Sequence, residues 1–258
     1  MPQFQHSGAI IHYETVGDGT PLLLIAGTAS DNASWGPLLP LLSGRQLLMP
    51  DNRGSGRTEC EGPFEIDDIV EDNAALLDHL GIAEADVVGH SLGGMIGLRL
   101  AARYPHKVRR LITLTSGNIP GAKERALFRD MERHYFTMPP EDWFRLLFHW
   151  LFSTPFFTDK ANIAAAAAAS TAYPWRQSPE NFARQVKAID RMVAEDLKQI
   201  RCRVLAVAGS LDLLVPPATV TAGHKGVRNL TLSTPVAAHS IHWEAPQAVA
   251  DAINGFLD

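Results

Sequence analysis

Cysteine occurs only twice in 258 residues, as Cys60 and Cys202. The two are far apart and lack CxxC or CxxH spacing, so neither a disulfide framework nor a zinc site is indicated. Both read as buried filling, and neither metal nor cofactor is expected. Long apolar runs are missing too: no uncharged stretch approaches the roughly eighteen residues that span a bilayer. The N-terminal MPQFQHSGAIIHYETVG also lacks the basic start and apolar stretch of a secretory leader. A cytoplasmic protein with no membrane partner is therefore expected. Excess positive charge is absent, with 23 Lys and Arg against 28 Asp and Glu and a net charge of -5. That balance offers no electrostatic footprint for nucleic acid. GxGxxG and GK[ST] are absent as well, which leaves no phosphate-binding signature.

What the chain has in quantity is short apolar segments. At 46% hydrophobic it is long enough for one large core, and a single domain over residues 1–258 is expected. Residues 3 to 15 read as an antiparallel strand pair punctuated by Gly8, Gly17, Gly19 and Pro21. Then PLLLIAG at 21–27, RQLLMPD at 45–51, ADVVGH at 85–90, RRLITLT at 109–115, CRVLAVAG at 202–209 and NLTLST at 229–234 are apolar throughout, as strands covered on both faces are. Helical spacing marks 66–81, 92–105 and 244–257 between or after them. Strand and helix in alternation predict an α/β fold with a mainly parallel, doubly wound, eight-stranded sheet. The alternation breaks at 118–200, where no strand is evident. About 118–185 reads as a helical cap, rich in aromatics such as Trp143, Trp150 and Trp175, with Ala164–Ala169 as a strong helix former.

Gly89-His90-Ser91-Leu92-Gly93 sits between one of these strands and an amphipathic helix. A GxSxG in that context is a nucleophile elbow, whose turn is so tight that small residues must flank the serine. The alternative is a glycine-rich turn that binds phosphate at a helix N-terminus. A serine hydroxyl is a poor nucleophile unaided, so a base and an orienting acid should follow it in the chain. Asp212 lies just past the strand of CRVLAVAGSLDLLVPP, where a carboxylate reaches the carboxyl end of the sheet; the alternative is an exposed turn aspartate. For the base, AAHSIHWEAP offers His239 and His242. His239 is preferred because it follows the small pair Ala237-Ala238, whereas His242 lies on the approach to the last helix.

LLLIAG, DNRGSGRT, GHSLGG, AGSLDLLVPP and AHSIHWEAP together, in that order, resemble the α/β-hydrolase superfamily from end to end. The chain is most similar to the branch of 3-oxoadipate enol-lactonases and aminoacrylate hydrolases. The resemblance implies the α/β-hydrolase fold, the same roles for Ser91, Asp212 and His239, and an oxyanion hole made by backbone N–H groups. Leu92, after the nucleophile, supplies one donor, and the resemblance assigns the other to Thr28. Most relatives carry His-Gly where this chain has Ala26-Gly27. The charged turn at Asp51, Arg53, Gly54 and Gly56 is structural in such proteins. His90, beside the nucleophile, and Trp150, Trp175 and Arg176 in the cap are candidate pocket residues, Arg176 either pairing with a substrate carboxylate or simply solvated.

The expected activity is hydrolysis of a small carboxylic ester or lactone through an acyl-serine intermediate, with that small molecule as the partner and either a monomer or a homodimer as the working form. Carbon–carbon bond hydrolysis of a ring-cleavage product, acyl transfer or perhydrolysis are alternatives on the same triad, and a small-molecule receptor on the same fold is the alternative of a different kind.

Overall fold

The computed structural model describes residues 2–258. Its strands are β1 (Gln3–His6), β2 (Ala9–Val16), β3 (Thr20–Ile25), β4 (Arg45–Pro50), β5 (Glu59–Cys60), β6 (Ala85–His90), β7 (Val108–Leu114), β8 (Arg203–Val207) and β9 (Leu230–Ser233). They form one sheet in the order β1-β2-β4-β3-β6-β7-β8-β9. β1 and β2 pair antiparallel, β2 runs antiparallel to β4, and every later neighbour is parallel. Eight strands lie on that path, as expected; the ninth, two-residue β5, pairs off it with β2.

Side chains alternate across the pleat, and here both faces are covered. Leu23, Ile25, Val87 and Leu111 enter one core with Ile69, Val70, Leu77, Ile96 and Leu100. Those partners lie on α1 (Ile66–His79) and α2 (Leu92–Arg103). Leu22, Leu24, Val88 and Ile112 enter the opposite core with Trp35, Leu38, Val249 and Ile253. Near-continuous apolar strands are the consequence of that double coverage. NLTLST departs from it: β9 is the sheet's edge, so its residues stay partly or fully exposed, Leu232 among them. The cysteines are also less covered than expected. Cys60 is half-buried in short β5 and Cys202 half-buried before β8, each packed against the margin of a core.

Between β7 and β8 come only helices: α3 (Ala122–Thr137), α4 (Pro140–Leu151), α5 (Thr154–Phe157), α6 (Lys160–Ala172) and α7 (Pro179–Asp190). They carry a core of their own, in which Met131, Tyr135, Trp143, Phe144, Phe148 and Phe182 are buried together. Tyr135 stacks on Trp143 at 3.9 Å between ring centroids. Their polar tips are satisfied, Trp143 Nε1 donating to the Met131 carbonyl and the Tyr135 hydroxyl to the Gln177 carbonyl. After β8 follow α8 (Pro217–Gly223), α9 (Ile241–Glu244) and α10 (Pro246–Leu257). The C-terminal helix expected from 244 starts at Pro246, where a missing N–H costs nothing, and Glu244 instead ends the short α9 before it. No helix of the described residues is long and apolar enough to cross a membrane.

Candidate active site

Ser91 joins β6 to α2 with φ of +51° and ψ of -115°. A non-glycine residue in that region costs on the order of 1–3 kcal/mol and persists only where its surroundings dictate it. The surroundings here do. Ser91 N–H donates to the Leu114 carbonyl at 2.9 Å, and the Ser91 carbonyl accepts from Ser116 Oγ at 2.6 Å and from Gly94 N–H at 3.0 Å. The two elbow glycines are steric requirements. A Cβ on Gly89 would lie inside the Gly93 carbonyl, and one on Gly93 inside the carbonyl of Ile25 on the neighbouring strand.

β6 and β8 run parallel, with β7 between them, so their carboxyl ends open on the same rim. Asp212 and His239 meet Ser91 there. The Ser91 hydroxyl donates to His239 Nε2 at 3.0 Å, and His239 Nδ1–H donates to Asp212 Oδ2 at 2.9 Å. The tautomer follows from the carboxylate, which only accepts. Asp212 Oδ1 accepts from the backbone N–H groups of Leu214 and Val215 at 2.8 and 2.9 Å. Burial pushes this carboxyl upward, but His239 and the two backbone donors outweigh it and hold Asp212 below the usual aspartate range. It is therefore ionised at neutral pH and aligned on the imidazole.

The His239 backbone is fixed as firmly as its ring. Its carbonyl accepts from His90 Nε2 at 2.9 Å and from Thr115 Oγ1 at 3.1 Å. Burial, reinforced by the neighbouring His239, lowers the pKa of His90 to about 3, so the ring is neutral and donates through Nε2. His242 packs against His90 at 4.5 Å between centroids and is likewise driven well below the ordinary histidine range by burial. His90 and His242 both reach the cavity wall, but among the described residues the imidazole hydrogen-bonded to Asp212 is that of His239 and not of His242.

The loop after β3 runs alongside Ser91: a Cβ on Gly27 would stand 3.2 Å from Ser91 Cβ. Thr28 lines the cavity with Ser91. Among the described residues no acceptor engages the backbone N–H of Thr28 or of Leu92, the first residue of α2. The loop is held without a histidine at Ala26, whose carbonyl accepts from Asn52 Nδ2 at 2.9 Å, while Ser30 Oγ donates to the Gly27 carbonyl at 3.1 Å. The charged turn braces the same region. Asp51 accepts from the N–H groups of Asn32 and Arg57, and Arg53 makes a two-point ion pair with Asp72 at 2.6 and 2.9 Å. Burial raises both Asp51 and its neighbour Asp31 above the usual range.

Above Ser91 lies a cavity of about 880 Å³ between the sheet's carboxyl edge and the inserted helices. Trp150, Trp175 and Arg176 all line it. Arg176 is partly committed, one guanidinium nitrogen donating to the Thr171 carbonyl at 3.1 Å. The Arg57 guanidinium lies over the Trp175 ring, 5.3 Å from its centroid. The sequence alone assigns no role to Glu244. Its carboxylate bridges the His239 loop and the inserted helices, accepting from Ala238 N–H at 2.6 Å and from Ser153 N–H and Oγ at 2.7 and 2.8 Å. An acidic residue in a helix's first turn is a weak signal for such a role; its partners were not visible.

Known proteins resemble this chain along most of its length. A protein of Azorhizobium caulinodans named carbamate hydrolase RutD is 28% identical over 99% of this chain and 98% of its own. The pyrrolizixenacetamide deacetylase of Xenorhabdus hominickii is 29% identical over 100% and 98%. The crystal structure of the enol-lactonase from Burkholderia xenovorans LB400 superposes with a TM-score of 0.87 at 24% identity, covering 99% of each chain, which is a likeness of fold. The model of the alpha/beta hydrolase fold family matches residues 20–246. The chain belongs to the alpha/beta hydrolase fold family.

Proposed function

We propose that this hydrolase cleaves carboxylic esters or lactones through an acyl-serine intermediate, with Ser91 as nucleophile, His239 as general base and Asp212 as the acid that orients it. The observation that carries the proposal is the hydrogen-bonded chain from Ser91 Oγ through His239 to Asp212 at 3.0 and 2.9 Å, open to a cavity. His239 takes the serine proton as Oγ attacks the carbonyl carbon and returns it to the leaving oxygen; water, deprotonated by the same imidazole, then releases the acid. The Asp212 carboxylate stabilises the imidazolium that forms in each step. Negative charge on the carbonyl oxygen is met by Leu92 N–H and Thr28 N–H, two fixed dipoles that need no reorganisation.

The relatives named for carbamate hydrolysis and deacetylation act, by those names, on acyl carbonyls bound to nitrogen, which the same attack serves. The free thiols of Cys60 and Cys202 suit a reducing, cytoplasmic setting. The test is a substrate profile across p-nitrophenyl esters, lactones, an aryl acetamide, a carbamate and vinylogous diketones. Ester or lactone turnover that Ser91→Ala abolishes supports the proposal. Turnover confined to diketones moves the assignment to carbon–carbon cleavage. Ligand-dependent partner binding that persists in Ser91→Ala, with no turnover of any compound by the parent protein, makes it a receptor.

A further inference from the structure

The cavity, at about 880 Å³, is far larger than a small ester requires, and its lining is mostly apolar. On the sheet side His90, Ser91, His239 and His242 form the floor. Facing them from α4 and α5 are Phe144, Leu147, Phe148, Leu151 and Phe156. The third wall is α6. Its Asn162, Ala166, Ala169 and Ser170 line the cavity, positions that recur at helical spacing on one face, and Tyr173 lines it just past the helix end. The alanine run is thus more than helix-forming filler: wherever it meets the cavity it contributes a methyl group and leaves the space open. The mouth points the same way. Of the ten large apolar side chains exposed among the described residues, Trp175, Leu211, Val236 and Trp243 line this one cavity. Apolar surface gathered on the approach to a site, rather than scattered, marks a surface that is covered when the site is used.

Resting on the acyl-serine reading, we infer that the substrate carries an extended apolar group, an unbranched medium-length alkyl or arylalkyl chain on the acyl side, which lies between the aromatic wall of α4 and α5 and the alanine face of α6. Ala166 and Ala169 then determine the chain length that fits. Each methylene moved from water into such a lobe contributes about 0.8 kcal/mol, roughly a fourfold gain in kcat/KM. Six methylenes separate acetate from octanoate, and the half-open mouth leaves part of a long chain wet. A gain of roughly 100-fold is therefore expected.

The test is kcat/KM along the p-nitrophenyl series from acetate to dodecanoate, for the parent protein and for Ala169→Trp and Ala166→Trp, with fluorophosphonate labelling of Ser91 measured on each. Ala169 is exposed on the cavity side of its helix, so its variant tests the wall without disturbing the buried core of the cap. The expected result is a rise to a maximum at octanoate or decanoate in the parent, and a fall of roughly tenfold in the octanoate-to-acetate ratio in either variant, since a ratio is insensitive to the fraction of folded enzyme. A flat profile, a maximum at acetate, or an unchanged ratio in both variants overturns the inference while labelled Ser91 leaves the hydrolase reading standing. Failure of every ester together with failure to label Ser91 overturns the reading beneath it.

Discussion

Glu244 accepts two hydrogen bonds from one residue, Ser153, through its N–H at 2.7 Å and its hydroxyl at 2.8 Å. Ser153 sits at the junction of α4 and α5, ninety-one residues back in the chain. The other carboxylate oxygen holds Ala238 N–H, next to His239. A second tie, Ser240 N–H to the Leu151 carbonyl at 2.8 Å, lies alongside. The inserted helices and the histidine loop are therefore one mechanical unit, and the wall of the cavity is fastened beside His239.

Replacing Glu244 with Gln tests that fastening. All three partners are donors, so an amide offers one acceptor and turns its NH2 toward another N–H. Hydrogen bonds to charged groups contribute about 1.5–3 kcal/mol each, and orphaned donors add a desolvation cost. Urea unfolding of Glu244→Gln is expected to show a loss of about 2 kcal/mol, with kcat reduced more than KM is raised. Unchanged stability would show that the bridge carries no weight.

Gly93→Ala addresses the elbow. The added methyl would intrude on the Ile25 carbonyl, which is backbone of a central strand and cannot swing aside. Forced overpacking of this kind costs about 3 kcal/mol, and thermal unfolding is expected to show it. A melting temperature equal to that of the parent would mean that β3 and α2 lie further apart than described.

Ser91, Asp212 and His239 were legible because each belongs to a local pattern: a strand, then a tight turn, then a residue whose type the chemistry demands. The double coverage of the central strands was equally legible from their unbroken apolar runs. Two things were not. β9 has the composition of a buried strand, yet nothing in NLTLST records that no further strand pairs beyond it. Glu244, Asn52 and Ser116 act through partners distant in the chain, and a carboxylate or amide bound to another segment's backbone leaves no periodicity to find. Arg176 shows the same limit, since its bond to the Thr171 carbonyl depends on how α6 ends.

The buried histidines give stability a pH dependence of definite sign. His90, at about 3, and His242, well below the ordinary histidine range, stay neutral when folded, whereas in the unfolded chain each takes up a proton near 6.5. The unfolded state binds more protons in that window, so stability is lost as pH falls below about 6.5, at up to about 1.4 kcal/mol per pH unit for each histidine. Asp212, held low, adds a loss only as pH falls further, through the carboxylate range; Asp31 and Asp51, held high, act with the opposite sign above 3.8. Comparing His242→Leu with the parent cancels the carboxylates. Between pH 6.5 and 5 the variant's stability is expected to fall less steeply by about 1 kcal/mol per pH unit. Equal slopes would place a protonated His242 in the folded protein.

The most direct test of an activated serine is intact-protein mass spectrometry after exposure to a fluorophosphonate probe. The expected outcome is a single adduct, mapped by proteolysis to Ser91, that is lost in Ser91→Ala and slowed by roughly 1000-fold or more in His239→Ala. No adduct on the parent protein, or labelling as fast without His239 as with it, would contradict the account.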